Sequence, residues 1–84
     1  MKPVTIYTTQ TCGFCLRAKQ LLADRGISYE EVDVTGDDEA RAKLVERADG
    51  RRTVPQIFIG EEGIGGYTEL AQLDREGKLQ PLLA

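Results

Sequence analysis

Residues 4–34 switch periodicity twice, and that switch narrows the folds open to this chain more than any other feature. Val4–Thr8, VTIYT, alternates β-branched and aromatic residues with the period of a strand. From Cys12 onward, Cys15, Ala18, Leu21 and Leu22 recur at spacings of three and four, a helical stripe closed by Arg25 and Gly26. Ile27–Val34, ISYEEVDV, returns to strand. Strand, helix and strand in this order imply a parallel pair joined by a right-handed crossover.

The remaining segments extend that unit. TGDDEARAKLVERADG reads as a second helix, with Thr35, Asp37 and Asp38 as candidate N-caps and acids in its first turn. Ala40, Leu44, Val45 and Ala48 form its apolar face and Gly50 ends it. PQIFIG is a third strand turning at Gly60, and a short fourth is centred on Ile64. The short Gly60–Gly63 connection implies an antiparallel hairpin. Thr68–Glu76 is a third helix presenting Leu70, Ala71 and Leu73. The expectation is an α/β chain in which a four-stranded mixed sheet, ordered β-α-β-α-β-β-α, is flanked by three helices. Residues 1–84 make one domain.

Composition excludes several classes of partner. Apolar residues make up 40% and charged residues 30%, as in a soluble globular domain. The net charge is -3, with Lys and Arg scattered among acids, which argues against nucleic acid. No apolar run approaches the ~20 residues that cross a bilayer, and MKPVTIYTTQ lacks the pattern of a secretory signal. The expected location is cytoplasmic, with no membrane partner. In a reducing compartment a C-x-x-C motif points to redox chemistry or metal binding rather than a structural disulfide.

Cys12 and Cys15 are the only cysteines, and the chain has no histidine. A structural zinc needs four Cys or His ligands, which this chain cannot supply alone. Burial as an inert thiol fits Cys15, on the apolar stripe, but not Cys12, at the strand-to-helix junction. The first turn of a helix has unpaired N–H groups and partial positive charge, and both stabilise a thiolate. Cys15 lies one turn on, along the same face. Cys12 is therefore read as the attacking sulfur and Cys15 as the sulfur that resolves a mixed disulfide.

Two further stretches carry chemistry. Pro55 precedes a strand; a cis Val54–Pro55 bond would offer the Val54 backbone as an open edge to a peptide-like thiol substrate, and the sequence leaves the isomer open. Gly65–Gly66 before a helix start makes a nest-like turn favouring carboxylates or phosphates, with Thr68 and Glu69 adding a hydroxyl and an anion. Taken alone, that stretch is a turn followed by an N-cap.

Together, YTTQTCGFCLRAKQLL, RRTVPQIFIG and GIGGYTELAQLDREGKLQPLL resemble the dithiol glutaredoxins, in that order and spacing. The resemblance implies a thioredoxin-like fold and a glutathione-dependent thiol-disulfide oxidoreductase with Cys12 as nucleophile and Cys15 as resolving cysteine. It implies that Val54 and Pro55, with Thr53 beside them, form the platform for the cysteinyl part of glutathione. Tyr67 and Thr68 match the positions whose N–H groups bind the γ-glutamyl carboxylate, and Glu69 the acid facing its amine. Phe14 and Gly66 complete the glutathione-binding set. Arg41 is the candidate for the glycyl carboxylate, with Arg51 and Arg52 as alternatives. The implied partners are glutathione and glutathionylated or disulfide-containing proteins, ribonucleotide reductase among the candidates, acting on a monomer.

The sequence departs from the commonest family pattern at three places. Gly13 and Phe14 replace the proline and tyrosine of C-P-Y-C, and Thr9 and Gln10 stand where a lysine is often found. Loss of that lysine predicts a Cys12 thiol less acidic than in lysine-bearing relatives. The C-G-F portion also resembles the C-G-F-S motif of monothiol, cluster-binding glutaredoxins. That raises a second expectation, a dimer in which Cys12 from each chain and two glutathiones ligate a [2Fe-2S] cluster.

Overall fold

The computed structural model describes residues 2–84. Its elements are β1 (Val4–Thr8), α1 (Gly13–Asp24), β2 (Glu30–Asp33), α2 (Asp38–Arg47), β3 (Gln56–Ile59), β4 (Glu62–Gly65), α3 (Tyr67–Arg75) and α4 (Leu79–Leu83). The strands form one mixed sheet in the order β2-β1-β3-β4. β1 pairs parallel with β2 and antiparallel with β3, and β3 pairs antiparallel with β4.

Side-chain alternation divides the sheet into two apolar faces. Val4, Ile6, Ile57 and Ile59 pack with Ala18 and Leu22 of α1, Leu70 of α3, and Leu79 and Leu83 of α4. On the other face Phe58 and Val34 pack with Leu44 and Ala48 of α2. Arg47 closes that second layer: its guanidinium lies 4.0 Å from the Phe58 ring centroid and donates to the Tyr7 hydroxyl at 2.8 Å.

Local chemistry sets the helix ends. Of the three candidate caps, Asp37 accepts from the Ala40 N–H at 3.0 Å and starts α2. α1 stops where Gly26, at φ +69°, lets the Gly26 N–H reach Ala23 O and the Ile27 N–H reach Leu22 O. Ile27 is thereby committed to the core at the end of α1, so β2 begins at Glu30 rather than at Ile27.

The expected three flanking helices are joined by a fourth, α4. Pro81 argues against a helix in the sequence, yet it falls in the first turn of α4, where an N–H has no intrahelical partner to lose. Burial of Leu79 and Leu83 against the sheet holds this short segment in place. No helix among the described residues is long and apolar enough to cross a membrane.

Candidate active site

Cys12 is the N-cap of α1. Its Sγ accepts the Cys15 N–H at 3.0 Å, so a free backbone donor and the positive end of the helix both face this sulfur. That environment stabilises negative charge on Cys12 once it is reduced. Cys12 and Cys15 are joined as a disulfide, with their Cα atoms 5.2 Å apart. The two sulfurs differ in access: Cys12 is half-buried, whereas Cys15 is 1% exposed.

The loop carrying Cys12 is fixed from β2. Thr35 accepts the Gln10 N–H at 2.8 Å, and the Asp33 carboxylate accepts the Thr35 N–H at 2.8 Å. The Thr35 hydroxyl and N–H hold the Asp33 carboxyl below its ordinary range. Behind α1, buried Thr8 donates to Glu31 at 2.6 Å and Lys19 reaches the same carboxylate at 3.1 Å. These two bonds, that from Thr8 first, lower the Glu31 pKa.

Beside the disulfide the Val54–Pro55 peptide bond is cis, and Cys12 Sγ lies 3.6 Å from the Val54 carbonyl oxygen. Pro55 leads into an open groove of about 360 Å³. Of the residues named from the sequence, Phe14, Thr53, Val54, Pro55, Gly66, Tyr67, Thr68 and Glu69 line it. Phe14, at the start of α1, and Tyr67, at the start of α3, stack with centroids 6.2 Å apart and planes inclined by 26°. Gly66 brings α3 close to the platform, since a Cβ there would lie 3.3 Å from the Pro55 carbonyl oxygen.

The first N–H groups of α3 have no carbonyl partner one turn back, so Tyr67 and Thr68 present free backbone donors at one end of the groove. Glu69 folds back across it. Its carboxylate accepts the Gly66 N–H at 2.9 Å and pairs with Arg51 Nη1 at 3.8 Å.

The basic residues separate. Arg51 lines the groove, whereas Arg41 lies in a different hollow with Asp38, Val45 and Arg52 and donates to the Arg52 carbonyl at 3.2 Å. Sequence reasoning passed over Gln56. It is 3% exposed, lines the groove, and donates to the Thr53 carbonyl and hydroxyl, which ties the loop before Pro55 to β3. A polar residue in the first position of an otherwise apolar strand was the only sign of it.

A glutaredoxin family model matches residues 4–64. The chain belongs to the glutaredoxin family. It is 50% identical over 84 residues to a glutaredoxin of Pseudomonas aeruginosa, covering 100% of this chain and 99% of that one. It is 47% identical to glutaredoxin 3 of Escherichia coli over 83 residues, 99% of each chain. Among solved structures, a Brucella melitensis glutaredoxin superposes with a TM-score of 0.87 at 48% identity, covering 99% of this chain and 89% of that one. A buckwheat glutaredoxin–glutathione complex gives 0.87 at 35% identity, covering 98% of this chain and 76% of that one.

The fold of this glutaredoxin is thus the thioredoxin-like one that its motifs implied, and its cysteine pair stands at the family's active-site position. The protein is a thiol-disulfide oxidoreductase of the glutaredoxin type. Among the described residues no three His, Cys, Asp or Glu side chains converge as a metal-ligand set. One chain offers two cysteine thiols and no histidine, so a [2Fe-2S] cluster would draw the rest of its four ligands from outside that chain.

Proposed function

We propose that this glutaredoxin reduces glutathione mixed disulfides and protein disulfides, with the Cys12 thiolate as nucleophile and glutathione as co-substrate. The observation that carries this reading is the placement of the accessible sulfur. Cys12 sits at a helix N-terminus against Val54, and Val54 opens onto a groove whose far side carries the free N–H groups of α3 and the Glu69 carboxylate. A peptide thiol with an anionic and a cationic end fits such a groove.

The cycle follows from the sulfur positions. Cys12 thiolate attacks the glutathione sulfur of a mixed disulfide, forming a Cys12–glutathione disulfide and releasing the substrate thiolate, which takes up a proton. A second glutathione thiolate then attacks the glutathione sulfur of that disulfide, giving glutathione disulfide and regenerating Cys12. With a protein disulfide, Cys12 attacks one protein sulfur and the other leaves as a thiolate. Cys15 then attacks Cys12 Sγ, releasing the second protein thiol and forming the Cys12–Cys15 disulfide, which two glutathiones reduce. The burial of Cys15 supports this division of labour, because the outer sulfur meets the substrate first.

The test is turnover of a glutathione mixed disulfide and of a protein disulfide by wild type, Cys15→Ser and Cys12→Ser. Cys15→Ser retains deglutathionylation and loses the dithiol route, whereas Cys12→Ser loses both. Turnover surviving in Cys12→Ser overturns the assignment.

A further inference from the structure

We propose that the hollow between β4, α3 and α4 is a docking site for protein substrates, and that it takes a segment with an apolar side chain flanked by lysine or arginine. The inference rests on the protein-disulfide part of the reading above and concerns a surface outside the groove beside Cys12. The hollow has a volume of about 420 Å³. Ile64 of β4, Leu73 of α3 and Leu82 of α4 give it three half-buried apolar side chains, each resting on the core beneath. Glu62, Glu69 and Glu76 stand round them, and no Lys or Arg lines the hollow. Among the described residues Glu62 has no ion pair. The pairs of Glu69 with Arg51 at 3.8 Å and of Glu76 with Lys78 at 3.4 Å are exposed and weak.

Glu69 lines both this hollow and the groove beside Cys12, so the two surfaces meet across the first turn of α3. A chain whose disulfide reaches Cys12 can continue past Glu69 and lay its neighbouring residues between β4 and α3. The apolar floor and acidic rim then select the segment: an apolar side chain fills the hollow and cations meet the carboxylates.

Two other occupants fit less well. A second copy of this chain, docked about a two-fold axis through this face, sets the acidic rim against itself on molecules of net charge -3. Strand addition is opposed by the edge itself. β4 is the outermost strand on its side, but it has only four residues, opens with Glu62, and its register with β3 skips Ile64. Recognition is therefore through side chains.

The experiment uses two peptides with the same internal disulfide and equal tails, one with leucine between lysines and one with leucine between glutamates. Each is made with the tail before and after the disulfide. Steady-state kcat and KM are measured for wild type, Glu62→Lys and Gln72→Lys, with the glutathione adduct of a small reporter thiol as control. Wild type prefers the basic tail. Each variant loses roughly two- to fivefold of that preference, the scale of an exposed ion pair. The loss falls on KM, and all three proteins turn over the small adduct alike. In nuclear magnetic resonance titrations the basic tail alone, without its disulfide, shifts the backbone amides of Ile64, Leu73 and Leu82. No tail preference in wild type, an undiminished preference in both variants, or shifts confined to other faces overturns the proposal. So does a dimer in sedimentation that Glu62→Lys alters. Failure of the protein-disulfide reading looks different. Neither peptide is then reduced although the small adduct is, and the role in substrate docking falls with that reading.

Discussion

Replacing Gly65 with alanine tests how the groove is built. Gly65 is the last residue of β4, pairs with Ile57 across the sheet, and holds φ at +101°. An L residue in a sparsely populated backbone region costs about 1–3 kcal/mol. The new methyl also displaces Arg51 and Glu69, both far ends of flexible side chains, at a cost of up to about 1 kcal/mol for an exposed pair. The expected loss is about 1–4 kcal/mol. At ~0.05–0.15 kcal/mol per residue, an 84-residue domain has about 4–13 kcal/mol in total, so the loss is a large share of its stability. At about 4–8 °C per kcal/mol, Tm falls by roughly 4–30 °C. Gly13→Ala is the control, because no heavy atom lies within 4 Å of its Cβ position and it opens α1 at a negative φ. That change is neutral or stabilises by up to ~1 kcal/mol. The assay is urea and thermal unfolding of both oxidised variants, with the urea m-value checked for constancy. A Gly65→Ala loss below about 1 kcal/mol, or equal effects at the two positions, would refute the reasoning.

Thr8→Val removes the main contact that lowers the Glu31 pKa. Because the folded value lies below the ordinary 4.5, that contribution is complete above pH ~4.5 and disappears as pH falls through the folded value. The variant therefore loses about 1 kcal/mol at pH 6 and less at pH 3, read from urea midpoints at both pH values; a larger loss at pH 3 contradicts the linkage. Leu70→Ala empties a fully buried site under α3 and costs about 2–5 kcal/mol in chemical denaturation. Arg47→Ala removes the cation over Phe58 and the donor to Tyr7, with a loss of about 1 kcal/mol and an altered near-ultraviolet circular dichroism signal from Tyr7.

Much of the scaffold was legible because its signals are local. The stripe of Cys15, Ala18, Leu21 and Leu22, with Leu21 only half-buried, the cap of α2, taken by Asp37 out of three candidates, and the Gly26 stop each act within one turn of chain. α4 was not legible, since five residues containing a proline have little helical preference of their own. Packing of Leu79 and Leu83 decides it. The strand pattern beginning at Ile27 misled for the same kind of reason: an apolar residue satisfies a strand pattern and a helix-closing contact equally well, and the core took it for the second.

By itself the sequence determined the order of the elements up to α3, the cysteine pair at a helix start, and the three stretches that mark the family. Each depends on residues close together in the chain, where side-chain type and spacing dictate geometry. Tertiary structure alone decided the isomer at Pro55 and the placement of Arg51 rather than Arg41 in the groove. Those facts depend on where β3, β4 and the two helix starts come to rest against one another. A contact such as Arg51 with Glu69, eighteen positions apart in sequence, exists only because Gly65 leaves the space between them empty.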